Sequence, residues 1–315
     1  MAIPFSNELF NKFVNIYLIE AKKGLEQSAA FKMGSDYHKG LATEEGFITG
    51  AIPIIDRDPH ATGAGTERVL GTDKVTKVSR VWGTEIMRVN ATEVKRFANN
   101  QDSEKVFADF VAKSYVQAYV GDVYETALGA AVAAISNEAA LVVGDGSAQF
   151  DYTLLNSGLS AFGDASNSLT SLVMRGASGL HSLIGDASTS KAVENVMGAT
   201  IIGGDVSKYG RASVVYDANS LRNGAIDYVL ALAAGAITVD ESEQRDYLFE
   251  KRGGDNIHYT YQVQGGYDVG ILGYSYKQAD QDVAATRAEI LTAANWEKKA
   301  SSDKQTAGVL IQTKG

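Results

Sequence analysis

Residues 103–137 read SEKVFADFVAKSYVQAYVGDVYETALGAAVAAISN, and the stretch predicts one long helix. Ser103 opens it, because a serine hydroxyl accepts a bond from an otherwise unpaired amide of the first turn. Val106, Phe107, Phe110, Val111, Ser114, Tyr115 and Ala118 recur at helical spacing and define an apolar or small stripe. Asp109, Lys113, Gln117 and Asp122 fall mostly between those positions. Directly upstream lies a pair of strand candidates with a glycine-rich tip. A long central helix behind a projecting β-arm, with no catalytic motif nearby, points to a building block rather than an enzyme.

The upstream pair occupies residues 46–92. GFITGAIPIID (46–56) is one strand candidate and DKVTKVSRVWGTEIMRVN (73–90) the other, joined by the Gly- and Thr-rich DPHATGAGTERVLGT (58–72). In the second strand, Val75, Lys77, Ser79 and Val81 face Thr76, Val78, Arg80 and Trp82 across an incomplete alternation. That pattern suits a strand pair lying on a neighbour better than one half-buried in its own core. Further upstream, residues 1–45 form an N-terminal arm. Leu9, Phe10, Phe13, Val14, Tyr17 and Leu18 are interrupted by Asn11, Lys12 and Asn15, so the segment reads as an amphipathic helix and not a signal peptide.

Downstream, residues 138–245 read as an α/β unit. DYTLLNSGLSAFGDA (151–165) and GASGLHSLIGDA (176–187) are helix candidates flanking the strand SLTSLVM (168–174). GATIIGG (198–204), ASVVYDA (212–218) and DYVLALAAGAITV (227–239) are short apolar runs of the kind covered on both faces. Residues 246–315 return to antiparallel β. Ile257, Tyr259, Tyr261 and Val263 share one face and His258, Thr260, Gln262 and Gln264 the other, with Gly265-Gly266 expected to turn a hairpin. A short helix and a terminal strand, AGVLIQT (307–313), close the chain.

Composition narrows the class. Among 315 residues, 38 Asp and Glu outweigh 29 Lys and Arg, for a net charge of −9. Such a surface does not clamp phosphates everywhere. With no cysteine, thiolate metal sites and thiol nucleophiles are excluded. No run approaches the roughly 18 apolar residues of a membrane span. The Asn90-Ala91-Thr92 sequon reads as accidental, since nothing directs the chain to a glycosylating compartment.

The motifs that carry chemistry fail on spacing. The four histidines (His38, His60, His181 and His258) have no second ligand at metal-binding distance along the chain. Gly63-Ala64-Gly65 begins a dinucleotide fingerprint, but Arg68 stands where the next glycine belongs. Gly144-Asp145-Gly146-Ser147 is a turn with no Gly-Lys-Ser/Thr after it, and Gly176-Ala177-Ser178-Gly179 sets its serine one place early for a nucleophile elbow. No catalytic, metal or cofactor residue is expected. Lys74, Lys77, Arg80 and Arg88 make the β-arm basic, either as a charged strand edge or as a partner for an acidic neighbour. Lys251-Arg252-Gly253-Gly254 is a basic turn.

The order of parts resembles the major capsid protein of tailed bacteriophages, the Hong Kong 97-type fold. SLTSLVMRGASGLHSLIGDA (168–187) looks like that family's strand entering a helix. RDYLFEKRGGDNIHYTYQVQGGYDVGILGYSYK (245–277) looks like its late strands, and TRAEILTAANWEKKASSDKQTAGVLIQT (286–313) resembles its end. The resemblance implies an α+β fold with an N-terminal arm (1–45), an extended β-hairpin loop (46–92), and a spine helix of a peripheral domain with its β-sheet (93–137). A central α/β axial domain (138–245) and returning peripheral strands with a C-terminal segment (246–315) complete it.

By the same resemblance the partners are copies of itself in hexamers and pentamers of an icosahedral shell around double-stranded DNA bound without sequence specificity. Scaffolding, portal and decoration proteins join them, there is no membrane, and assembly takes place in the host bacterial cytoplasm. The expected subunit interface comprises Gly63, Gly65, Arg68, Lys74, Lys77, Arg80, Lys251 and Arg252. The rivals are an encapsulin-type compartment, which shares the fold but encloses cargo, and a soluble α/β enzyme, which would need a nucleophile–base pair that the sequence lacks.

Overall fold

Residues 103–136 do form one helix, and two β-sheets are built along it. The computed structural model describes residues 7–26, 28–34, 42–49, 71–97, 103–176, 193–196, 199–202, 211–253, 256–277 and 284–315. The first group of elements is α1 (Asn7–Glu26), β1 (Phe31–Gly34), β2 (Ala42–Thr49), β3 (Gly71–Gly83), β4 (Met87–Asn90), α2 (Ala91–Phe97) and α3 (Ser103–Ser136). Then come β5 (Val142–Val143), α4 (Tyr152–Ser160), β6 (Leu169–Met174), β7 (Val193–Val196), β8 (Ala199–Ile202), β9 (Ala212–Val215), β10 (Arg222–Asn223) and β11 (Ile226–Ala233). The chain finishes with β12 (Ile237–Arg252), β13 (His258–Ile271), β14 (Tyr274–Tyr276), α5 (Arg287–Ile290), β15 (Trp296–Lys298) and β16 (Gly308–Lys314). This is the mixed α+β class expected from the sequence.

At 34 residues, α3 is about 51 Å long at 1.5 Å per residue. From Phe107 to Tyr124 its buried positions are the pairs 107/108, 111/112, 115/116, 119/120 and 123/124, a ridge repeating every four residues. Such a ridge slants across the helix axis and matches a crossing partner. That partner is α1, which buries Phe10, Val14, Leu18 and Ala21. The stripe expected from the sequence therefore needs correction. Phe107, Val111 and Tyr115 are buried, but Val106, Phe110, Ser114 and Ala118 face outward. Further along, Ala127, Leu128, Ala130, Ala131, Ala134 and Ile135 are buried almost all round, because small side chains let both sheets approach the helix.

The first sheet runs β1-β12-β13-β14-β15, with β3 and β4 both pairing β13 and β2 pairing β3. The second runs β5-β16-β11-β6-β9-β8-β7, with β10 on β11. Residues 227–239, expected as one strand, are divided between them. β11 ends at Ala233, and β12 starts at Ile237 in the other sheet. Gly235 at φ +65° makes the break, a left-handed conformation that glycine adopts without a Cβ clash. The chain thus changes sheets at this turn, before the expected boundary at 245. The C-terminal segment also crosses over: β16 inserts beside β11 in the second sheet and does not stay with the 246–315 strands. Its Val309-Leu310-Ile311 run is fully buried, as a central strand with both faces covered requires.

Gly265-Gly266 is not a turn. β13 runs straight through it from His258 to Ile271, and β3 and β12 pair on either side. A Cβ on Gly265 would lie 3.0 Å from Arg245 Cγ and 3.1 Å from Trp82 Cζ2, so the missing side chain makes room for an arginine and an indole. The register of β12 also slips between Glu241 and Asp246, opposite these glycines. The sequon is a helix cap: Asn90 Oδ1 accepts the Thr92 amide at 3.0 Å at the start of α2.

Candidate assembly surface

The β-arm is a real ladder. β2 and β3 pair antiparallel from Ala42↔Val78 to Thr49↔Gly71. On its other edge, β3 joins β13 only from Val78 to Gly83. Before that, Thr76 N donates to Ser275 Oγ at 2.9 Å, and the ladder then continues from Val75 to Gly71 with β2 alone among the described residues. Five such residues extend roughly 16 Å. The expectation that 46–92 lies wholly outside the subunit's core is corrected at this root: Val78 and Ser79 are buried in the first sheet. The weak alternation arises because one strand serves two environments, sheet at one end and arm at the other.

The expected interface residues divide into three groups. Gly63, Gly65 and Arg68 lie outside the described residues, as do His38, His60 and His181. Lys77 and Arg80 point inward. Lys77 is only 6% exposed and its ammonium sits 2.9 Å from Asp240 Oδ2. Arg80 Nη1 lies 2.9 Å from Asp122 Oδ2 and donates to the Tyr267 hydroxyl at 3.0 Å and to Thr126 Oγ1. Tyr267 in turn donates to Asp122 Oδ2 at 2.8 Å. Burial, with the Asp122 charge added, pushes the Tyr267 hydroxyl pKa up, so it stays a neutral donor. The Arg80 contacts clamp the arm root onto α3, and the Lys77 pair ties it to β12. Removing one partner of a part-buried, hydrogen-bonded pair costs far more than the pair contributes net, because a desolvated charge is left behind.

Lys74, Lys251 and Arg252 are exposed. Lys251 and Arg252 sit at the far end of β12, where Lys251 Nζ lies 5.4 Å over the Tyr259 ring and Arg252 Nε lies 2.6 Å from Glu250. Ile257 immediately precedes β13, and β4 carries Met87 beside Tyr261. Ile257 and Met87 are both exposed, as is Ile86 in the turn before β4. This corner of the first sheet is apolar with a basic rim, a composition suited to a partner surface. A second exposed apolar set, Ile16 and Ile19, lies on the outer face of α1, with Phe110 exposed on α3. Sequence reading assigned Phe110 to the core and passed over Ile16 and Ile19. Their place off the Phe10, Val14 and Leu18 stripe is the signal that the sequence held.

His258 is half-buried, its Nδ1 3.3 Å from the Asn256 carbonyl oxygen. Gly144 (φ +88°) and Gly146 (φ +76°) form the expected turn, with Asp145 Oδ1 accepting the Ser147 amide at 2.9 Å. No group of three or more His, Asp or Glu among the described residues is placed to hold a metal ion. No helix among them is long and apolar enough to cross a membrane.

A family model described as major capsid protein 13-like (Gp13-like) matches residues 21–310. The chain belongs to this family of major capsid proteins. A solved structure from Mycobacterium phage Adephagia is 11% identical over 91% of this chain and 89% of its own, with a TM-score of 0.52. One from Mycobacterium phage Bobi is 12% identical over 90% and 89%, with a TM-score of 0.51. At that identity the likeness is one of fold. Comparison with curated proteins finds no match. This capsid protein builds a shell from copies of itself, and its place is the capsid of the virion.

Proposed function

We propose that this capsid protein has the Hong Kong 97-type arrangement and forms the pentamers and hexamers of an icosahedral shell around the double-stranded DNA of a tailed bacteriophage. In this reading the first sheet with α1 and α3 is the peripheral unit, the second sheet is the axial unit, and 46–92 is the extended loop. The role is structural and not catalytic. The observation that carries it is the β2–β3 ladder leaving its own sheet after the clamp at Lys77 and Arg80. A two-stranded ladder with no third strand beside it among the described residues needs a surface to lie on, and in a shell that surface is the next copy.

Gly63, Gly65, Arg68, Lys74, Lys251 and Arg252 are assigned to contacts between copies. Lys77 and Arg80 serve the same interface from inside by fixing the angle of the arm. A net charge of −9 suits a wall that encloses DNA without gripping it. Scaffolding, portal and decoration proteins are the further partners, and assembly takes place in the host cytoplasm. Light scattering on the double variant Lys251→Glu/Arg252→Glu tests the assignment. A folded subunit that no longer forms large particles is expected, and unimpaired assembly would remove these two residues from the interface.

A further inference from the structure

We propose that Arg287 couples the root of the arm to the second sheet, because one guanidinium is divided between two carboxylates of α3 that hold different sheets. Asp122 and Glu125 are three residues apart and therefore neighbours on one helix face. Arg287 Nη1 lies 3.6 Å from Asp122 Oδ1, and Nη2 lies 3.4 Å from Glu125 Oε2. Neither distance is the roughly 2.8 Å of a committed charge-assisted hydrogen bond. The side chain is shared.

The two carboxylates have different clients. Asp122 Oδ2 holds the arm root through Arg80 at 2.9 Å and the Tyr267 hydroxyl at 2.8 Å. Glu125 holds the second sheet: Oε1 accepts the Asn219 amide at 2.7 Å and Oε2 the Ser220 amide at 3.1 Å, in the turn that leads into β10 and β11. The backbone of Arg287 is fixed by the capping box of Thr286 and Glu289, so redistribution falls on its side chain. Glu125, Asn219, Ser220 and Arg287 also line an open hollow of about 690 Å³, which gives the guanidinium room to move.

The consequence is a two-position element. When Arg80 leaves Asp122, the carboxylate lacks a cation and Arg287 moves to it, away from Glu125. When Glu125 is neutralised, Arg287 goes wholly to Asp122, and Asp122 depends less on Arg80. A displacement of the arm is thereby felt in the turn at Asn219, and the reverse holds by thermodynamic reciprocity. The coupling belongs to the folded subunit and stands whether or not the shell reading does.

A double-mutant cycle on the unassembled full chain tests it. Arg80→Gln, Glu125→Gln and the pair are unfolded in urea, in the native and in the Arg287→Gln background. With Arg287 present, the pair is expected to be less destabilised than the product of the single effects, by about twofold or more in the unfolding equilibrium. Without Arg287 the effects should multiply. If Arg80→Gln does not fold, Tyr267→Phe takes its place, removing one hydroxyl from Asp122. Effects that multiply with Arg287 present, or a non-additivity that survives Arg287→Gln, would overturn the proposal.

Discussion

Phe107 and Phe110 stand three positions apart on α3, yet one is 7% exposed and the other 55%. Phe107 packs 6.3 Å from the Tyr259 ring on the first sheet. Phe110 lies past the edge of the slanted ridge. Truncating a buried phenylalanine costs about 3–5 kcal/mol, so Phe107→Ala should lower the unfolding free energy by that amount. Phe110→Ala should change stability by well under half as much and impair assembly instead; calorimetry beside light scattering separates the two. Tyr17 offers a second test. Its hydroxyl donates to Asp109 Oδ1 at 2.6 Å, tying α1 to α3. That bond to a carboxylate, helped by desolvation, pushes the tyrosine up to about 12 from an ordinary 10.0. The folded-state value is the higher one, so the contribution is complete below pH 10 and fades as pH rises through about 12. Tyr17→Phe should remove that alkaline step, read as the difference between the two chains' stability against pH. Helical spacing alone made α3 and its inner aromatics legible. The partner that turned the stripe, α1, is distant in sequence and left no mark on it.

At the scale of elements, strand content was legible and connection was not. ASVVYDA and AGVLIQT read as strands because short apolar runs between polar turns have few alternatives. No local signal told that residues 227–239 serve two sheets, since Gly235 sits among alanines as a helix or strand interior also allows. Gly265-Gly266 misled for a related reason. Paired glycines favour a turn when nothing else is known, but here Gly265 faces Arg245 and Trp82 across the sheet. Gly308 is the sharpest case. It has φ +153°, and a Cβ there would lie 2.0 Å from the Ala231 carbonyl oxygen, a backbone atom that cannot step aside. Gly308→Ala should destabilise by about 1–3 kcal/mol, the usual cost of overpacking, because β16 must shift off β11. Chemical denaturation measures it, and an unchanged midpoint would show that the strand pair yields easily.

For the whole molecule, the arm separates folding from assembly. Val78 and Ser79 at its root are core, whereas from Val75 to Gly71 the ladder has β2 alone beside it among the described residues, so the two can be changed independently. If residues 50–70 serve contacts between copies, replacing them by a short turn should leave a subunit with native circular dichroism and a stability within about 1 kcal/mol of the native chain. The same variant should fail to form shells. Global unfolding of it would place the loop in the subunit's own core. The basic residues of this region were legible as a cluster, but the division of labour among them was not. Lys77 and Arg80 find Asp240 and Asp122, which lie 163 and 42 residues away, and sequence gives no measure of such pairing.

Electron microscopy of the purified full-length protein tests the central claim most directly. Closed shells of regular diameter are predicted, with the β2–β3 ladder of each subunit lying on an adjacent copy. A compact monomer under every assembly condition would contradict the account.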